Sequence, residues 1–239
     1  LLTKIRMQEG DNARVFRFRG EEDEGRGHII VDHGIVPSAT RKLIIDPSVS
    51  KVPKSLSGED YFGGPLYESL QELVLHEGVK TIGHNAFSGT GLHQVGIHTT
   101  MEKIGDKAFF ECFELKKVEF LPPPPSSSSS SSVCSNKHRL RFGFNTFEHC
   151  SLLERFKAPP VLYELGSLTF CHCTSLVEVN LYESSCLKVI PRRVFQNCSN
   201  LQSVRLPSSI GSIEAEAFLD CSKLVTVEFT GKEKKRNIT

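Results

Sequence analysis

The chain has 239 residues, with Lys+Arg 29 against Asp+Glu 28 and a formal net charge of +1. A balance this close sets up no long-range field toward phosphate backbones or anionic lipid, which disfavours nucleic acid and membrane surfaces as partners. Hydrophobic residues at 38% and charged residues at 24% suit a packed core rather than a disordered chain, and no apolar run approaches the roughly 18 residues of a membrane-spanning helix.

From the N-terminus, Val15-Phe16-Arg17-Phe18-Arg19 and His28-Ile29-Ile30-Val31 predict two short strands. An acidic turn, Glu21-Glu22-Asp23-Glu24, joins them. Residues 1–40 are expected to cap the apolar end of a stack of repeats. Leu1 to Arg6 show no basic-then-apolar secretory pattern. From about residue 41 the repeat takes over. Its clearest copy is Leu201-Gln-Ser-Val204-Arg-Leu206-Pro-Ser-Ser-Ile210-Gly-Ser-Ile213-Glu-Ala-Glu-Ala217-Phe218-Leu-Asp-Cys221, and copies begin at Leu70, Leu92, Leu115, Leu153, Leu176, Leu201 and Leu224. The spacings are 22, 23, 38, 23, 25 and 23, so one unit of about 23 residues carries some 15 extra. A degenerate earlier unit places Leu43 and Ile45 in the strand and Val49 and Val52 where Ile210 and Ile213 stand.

Within a unit, Val204 and Leu206 alternate with Ser203 and Arg205, the period-2 pattern of a half-buried strand. Ile213, Ala217, Phe218 and Cys221 have the spacing of a short helical turn with one buried face. Each coil is therefore expected to run strand, turn, short helical or 3₁₀ segment, turn. One coil buries too little apolar surface to offset the ordering of its backbone, so coils must stack. The glycine after the central apolar residue (Gly83, Gly105, Gly143, Gly166) is replaced by Pro191 and Glu214 in other units. Proline fixes φ near −65°, so this position does not require positive φ, and close packing explains the glycine.

These residues resemble the BspA-like branch of the leucine-rich repeats, whose unit is similar to Leu-x-x-Val-x-Leu-Pro-x-x-Val-x-x-Ile-Gly-x-x-Ala-Phe-x-x-Cys. The likeness implies an α/β fold, a right-handed solenoid with a parallel concave β-sheet over residues 41–231. It also implies use in binding proteins or cell surfaces, with no catalytic residues. Thr146 and Thr169 depart from the pattern by replacing its Ala. A Pro/Ser-rich loop insertion, 122–137, interrupts one unit, and 232–239 form a charged tail.

Five of the eight cysteines, Cys112, Cys150, Cys173, Cys198 and Cys221, fall three residues after the repeat's Phe. A ladder of buried free thiols is expected there, which favours an intracellular compartment. The spacing leaves Cys134, Cys171 and Cys186 unexplained. Cys171-His172-Cys173 with His149-Cys150 contain zinc-ligand residue types, but alternate residues point to opposite sides and do not converge. The column Glu111, His149, His172, Asn197 and Asp220 reads as a solvated edge. The sequons Asn197-Cys198-Ser199 and Asn237-Ile238-Thr239 read as incidental. No nucleophile-and-base constellation, nucleotide loop or paired-His motif is present, so neither catalysis nor a cofactor is expected.

The expected function is a non-catalytic interaction module that binds a protein partner on the concave face. The alternative is a cell-surface adhesive or structural protein. The candidate binding residues are Glu119, Lys157, Asn180 and Arg205, which stand between inward strand residues, with Arg155 and Glu178 two positions earlier in the coil. These outward columns vary along the chain while the inward ones repeat.

Overall fold

The structure is a computed structural model. It describes the N-terminal strands 8–10, 13–18, 21–22 and 29–30 by their backbone, and residues 40–54, 68–122 and 139–229 in full. In chain order the strands are β1 (Gln8–Gly10), β2 (Ala13–Phe18), β3 (Glu21–Glu22), β4 (Ile29–Ile30), β5 (Lys42–Ile45), β6 (Lys51–Val52), β7 (Glu72–Val74), β8 (Thr81–Ile82), β9 (Gln94–His98) and β10 (Lys103–Ile104). The second half supplies β11 (Lys117–Leu121), β12 (Leu140–Phe142), β13 (Arg155–Lys157), β14 (Leu162–Glu164), β15 (Glu178–Asn180), β16 (Val189–Ile190), β17 (Ser203–Leu206), β18 (Ser212–Ile213) and β19 (Thr226–Phe229).

Each repeat supplies one strand to each of two parallel walls. The first wall runs β2-β5-β7-β9-β11, with β1 antiparallel on its outer edge, and resumes as β13-β15-β17-β19. The second runs β6-β8-β10-β12-β14 and resumes as β16-β18. The two predicted N-terminal strands are present as β2 and β4 but do not pair with each other: β2 lies parallel to β5, and β4 pairs with β3. The degenerate unit takes its place in both walls, with Leu43, Ile45, Val49 and Val52 fully buried. The Pro/Ser insertion and the charged tail lie outside the described residues.

Among the described residues one hydrophobic core runs along the axis. The repeat's phenylalanines stack through it. Phe87, Phe109, Phe147, Phe170, Phe195 and Phe218 have successive ring centroids 5.5, 5.3, 5.7, 5.6 and 5.4 Å apart. Beside them each ladder thiol donates to the Phe carbonyl one coil back: Cys112 to Phe87 (3.1 Å), Cys150 to Phe109 (3.3 Å), Cys173 to Phe147 (3.1 Å), Cys198 to Phe170 (3.1 Å) and Cys221 to Phe195 (3.0 Å). Thr90 occupies the same position in the earlier coil, and its hydroxyl donates to the Phe87 carbonyl at 2.9 Å. At the departures from the repeat, the buried Thr146 and Thr169 donate to the carbonyls of Gly143 and Gly166. Each hydroxyl is thereby satisfied, so the register continues through them.

The expected helical or 3₁₀ segment needs correction. Among the described residues there is no helix, and the stretches 84–89, 106–111, 144–149, 167–172, 192–197 and 215–220 are tight turns. Each contains two residues with φ between about 54° and 69°, such as Lys107 (55°) and Glu111 (57°), or Leu168 (61°) and His172 (60°). Left-handed residues end an α-helix. The backbone spends its donors differently. The N–H groups of Lys107, Phe109 and Glu111 reach the carbonyls of Phe144, Thr146 and Glu148 in the next coil, while Ala108 and Phe110 close short turns onto Gly105 and Lys107.

The close-packing reading of the glycines agrees with the geometry. None of Gly83, Gly105, Gly143 or Gly166 has positive φ. A Cβ on Gly166 would lie 2.2 Å from the Gly143 carbonyl oxygen, so it is the neighbouring coil that excludes a side chain.

Candidate functional site

The parallel register of the first wall places the predicted binding residues in two rows. Arg155 stands beside Glu178, then Ser203 and Thr226, while Lys157 stands beside Asn180, then Arg205 and Glu228. Inward neighbours Phe156, Val179 and Val204 are buried, so alternation turns both rows outward. Glu119 is not in this ladder. It pairs with Gly96 on β9, across the break between β11 and β13.

The outward charges pair laterally. Glu178 lies between Arg155 (3.5 Å) and Arg205 (3.8 Å), and Arg205 also reaches Glu228 at 3.5 Å. Lys157 pairs with Glu183 at 2.9 Å, and Glu119 with Lys117. The side-chain amide oxygen of Asn180 accepts from the Tyr182 N–H at 3.0 Å. Arg155 and Lys157 keep 75% and 66% of their side-chain surface exposed. The wall is thus a solvent-facing lattice of alternating charge whose members remain reachable. Glu183 was not anticipated by the repeat. It lies in the coil whose Leu176 to Leu201 spacing of 25 exceeds the usual 23, and that excess is the signal that marks it.

The turn edge opposite carries the column Glu111, His149, His172, Asn197 and Asp220, all with positive φ. The His149 and His172 rings stack at 4.5 Å and 7°, and the Asn197 amide lies 3.1 Å from His172 Nε2. Parallel rings direct their nitrogens along parallel planes, while Cys150 and Cys173 point inward to backbone carbonyls. The four groups do not converge, and among the described residues no cluster of three or more His, Cys, Asp or Glu could hold a metal.

Of the remaining cysteines, Cys171 is buried as a free thiol. Burial, then the Glu148 carboxylate beside it, pushes it up to about 12. Cys186 is disulfide-bonded; its partner lies outside the described residues, as does Cys134. The five ladder cysteines are free thiols, four of them buried and Cys221 half-buried.

The sequence profile described as the BspA type leucine rich repeat region matches residues 62–142 and 141–238, in six copies. The chain belongs to the BspA-type leucine-rich repeat family. Among solved structures, this family member is similar to a leucine-rich repeat protein of T. pallidum, with 19% identity over 93% of this chain and 87% of that one and a TM-score of 0.59. It is also similar to the pneumococcal vaccine antigen PcpA, with 20% identity over 90% of this chain and 55% of that one and a TM-score of 0.51. A leucine-rich cell surface protein from Faecalibacterium prausnitzii matches at 23% identity over 81% of this chain, with a TM-score of 0.39, and the chain spans 61% of its length. These likenesses concern the solenoid fold. No curated protein matches the sequence. Among the described residues no helix is long and apolar enough to cross a membrane.

Proposed function

We propose that this BspA-type solenoid is a non-catalytic protein-interaction module that engages its partner through the outward rows of β13, β15 and β17, on the sheet that the family likeness makes concave. The supporting observation is the lattice Arg155–Glu178–Arg205–Glu228 with Lys157 and Asn180 beside it. Exposed ion pairs of this kind are worth about 0–1 kcal/mol, so a partner's charges can replace them at little cost. Arg155, Lys157 and Arg205 serve as donors to acidic or carbonyl groups, and Glu178 and Glu119 as acceptors.

The test compares affinity capture by the wild-type chain, by the double variant Lys157→Glu with Arg205→Glu, and by Glu214→Lys with Asp220→Lys on the turn edge. Proteins retained by the wild type and the second variant but lost from the first are expected. Loss that tracks the Glu214 and Asp220 reversals instead would show that the binding rows have been misplaced.

A further inference from the structure

We propose that Cys134 and Cys186 form a disulfide that ties the Pro/Ser-rich insertion to the turn of the longer coil, and that the chain matures in a compartment oxidising enough to make it. Cys186 is disulfide-bonded. Of the eight cysteines, Cys112, Cys150, Cys171, Cys173, Cys198 and Cys221 are free thiols. Cys134 is the one left to serve as the partner.

The repeat arithmetic points to the same pair. In regular units the central apolar residue stands 12 positions after the opening leucine, as Ile104 after Leu92, Leu165 after Leu153 and Ile213 after Leu201. Ile190 stands 14 after Leu176 and Phe142 stands 27 after Leu115, so these two units carry 2 and 15 surplus residues. Both surpluses fall in the same part of the coil, the connection from a first-wall strand to a second-wall strand. In one unit that is between β15 and β16, in the other between β11 and β12. Cys186 belongs to the first of these connections and Cys134, in sequence, to the second. Neither is a ladder position, and each irregular unit brings one cysteine of its own.

The two connections are also neighbours along the rod. One unit, opening at Leu153, separates them. Ser184 is fully buried and donates its hydroxyl to the Pro159 carbonyl of that unit at 3.0 Å, so the longer turn lies against the turn before it. Adjacent strands are spaced about 4.8 Å apart, which sets connections two coils apart at roughly 10 Å. Arg139, the residue before β12, follows Cys134 by five positions, and five residues reach up to about 17 Å.

The bond forms by exchange with a small-molecule disulfide of the glutathione type. One cysteine thiolate attacks it and releases a first glutathione thiol, and the other cysteine displaces the second from the mixed disulfide. The two cysteines together lose two protons and two electrons, and one oxidised glutathione becomes two reduced ones. The ladder survives such conditions. Cys112, Cys150, Cys173 and Cys198 are buried and donate to backbone carbonyls, and a thiol must ionise and be reached before it exchanges. A ladder of free thiols therefore does not call for a reducing compartment, whereas a disulfide outside it calls for an oxidising one.

The test incubates the reduced, folded chain with mixed reduced and oxidised glutathione, alkylates it in denaturant, and cuts it without reduction using trypsin and a glutamate-specific protease. Mass spectrometry should find peptide 120–137 linked to peptide 184–188, with six cysteines alkylated per chain. The linked pair should vanish on reduction and in both Cys134→Ser and Cys186→Ser. The same chain exported to a bacterial periplasm should carry the pair, and chain made in a reducing cytosol should show eight alkylated cysteines. Eight alkylated cysteines in the periplasmic chain, Cys186 linked to any cysteine other than Cys134, or glutathione held on Cys186 without a linked peptide would each overturn the pairing. Six alkylated cysteines in the cytosolic chain would overturn the assignment of compartment.

Discussion

Cys150 donates its thiol to the carbonyl of Phe109, 3.3 Å away in the preceding coil. A cysteine so placed ties two coils together at a carbonyl that a strand ladder does not reach. The protonated form is the one that fits.

Stability should therefore depend on alkaline pH. Burial pushes Cys112 up to about 11, although its contacts with Thr90 and Gly89 pull it down, and burial raises Cys150, Cys173 and Cys198 as well. A thiol whose folded pKa lies above its unfolded value near 9 keeps its full contribution below about pH 9 and loses it as pH climbs through about 11. Urea midpoints should fall across that window and fall less steeply for Cys112→Ala. Thiol reagents at pH 8 should label Cys112, Cys150, Cys173 and Cys198, the four buried ladder thiols, only after unfolding. Identical slopes for the two proteins would contradict this.

The phenylalanine stack should be most sensitive at its middle. Phe147 is fully buried and contacts the rings of Phe109, Phe142, Phe156 and Phe170. Phe147→Ala should cost about 3–5 kcal/mol in denaturant unfolding. Phe218→Ala, at a half-buried ring with a stacking neighbour on one side, should cost clearly less.

Coil spacing predicts opposite outcomes for two glycines. In Gly166→Ala the new methyl meets Gly143 backbone at 2.2 and 2.3 Å, whereas in Gly211→Ala the nearest atom is 3.7 Å away. Gly166→Ala should destabilise by about 1–3 kcal/mol, and Gly211→Ala should leave the melting temperature nearly unchanged.

Leu168 holds φ at 61°, a conformation costing an L-residue other than glycine roughly 1–2 kcal/mol. Leu168→Gly should offset part of that cost against its own unfolded-state entropy. A gain of up to about 1 kcal/mol is expected from urea unfolding, and a net loss of stability would mean the leucine side chain contributes more than its backbone costs.

The inward half of each coil was legible because its chemistry repeats. Leucine, Val, Phe and Cys recur at fixed offsets, and one spacing sets both walls and the stack. The turns were not legible in the same way. Lys107, Leu168, Arg193 and Glu216 are good helix formers by propensity, yet all four have positive φ. The inter-coil bonds made by these turns connect residues 21 to 37 apart in the chain, so no local window contains the cause. Likewise Glu178 and Arg205 could be placed on one face from alternation, but their pairing is a consequence of register. The bulge at Tyr163, where Leu140 pairs with Leu162 and Arg141 with Glu164, left no mark in the sequence, whereas the longer coil did, as the Leu176 to Leu201 spacing of 25.

The bonds from the turns also give the rod a direction. The N–H groups of Asn145, Phe147 and His149 all meet carbonyls of the next coil, those of Ser167, Thr169 and Cys171, and the same sense holds from coil to coil. Along these turns every coil presents donors to the next coil and acceptors to the one before it. Stacking is consequently vectorial: a coil fits head to tail, while an inverted one would set donor against donor. Duplicating an in-frame unit of about 23 residues would lengthen such a rod without requiring a new kind of interface, whereas no rearrangement that reverses a coil could be accommodated.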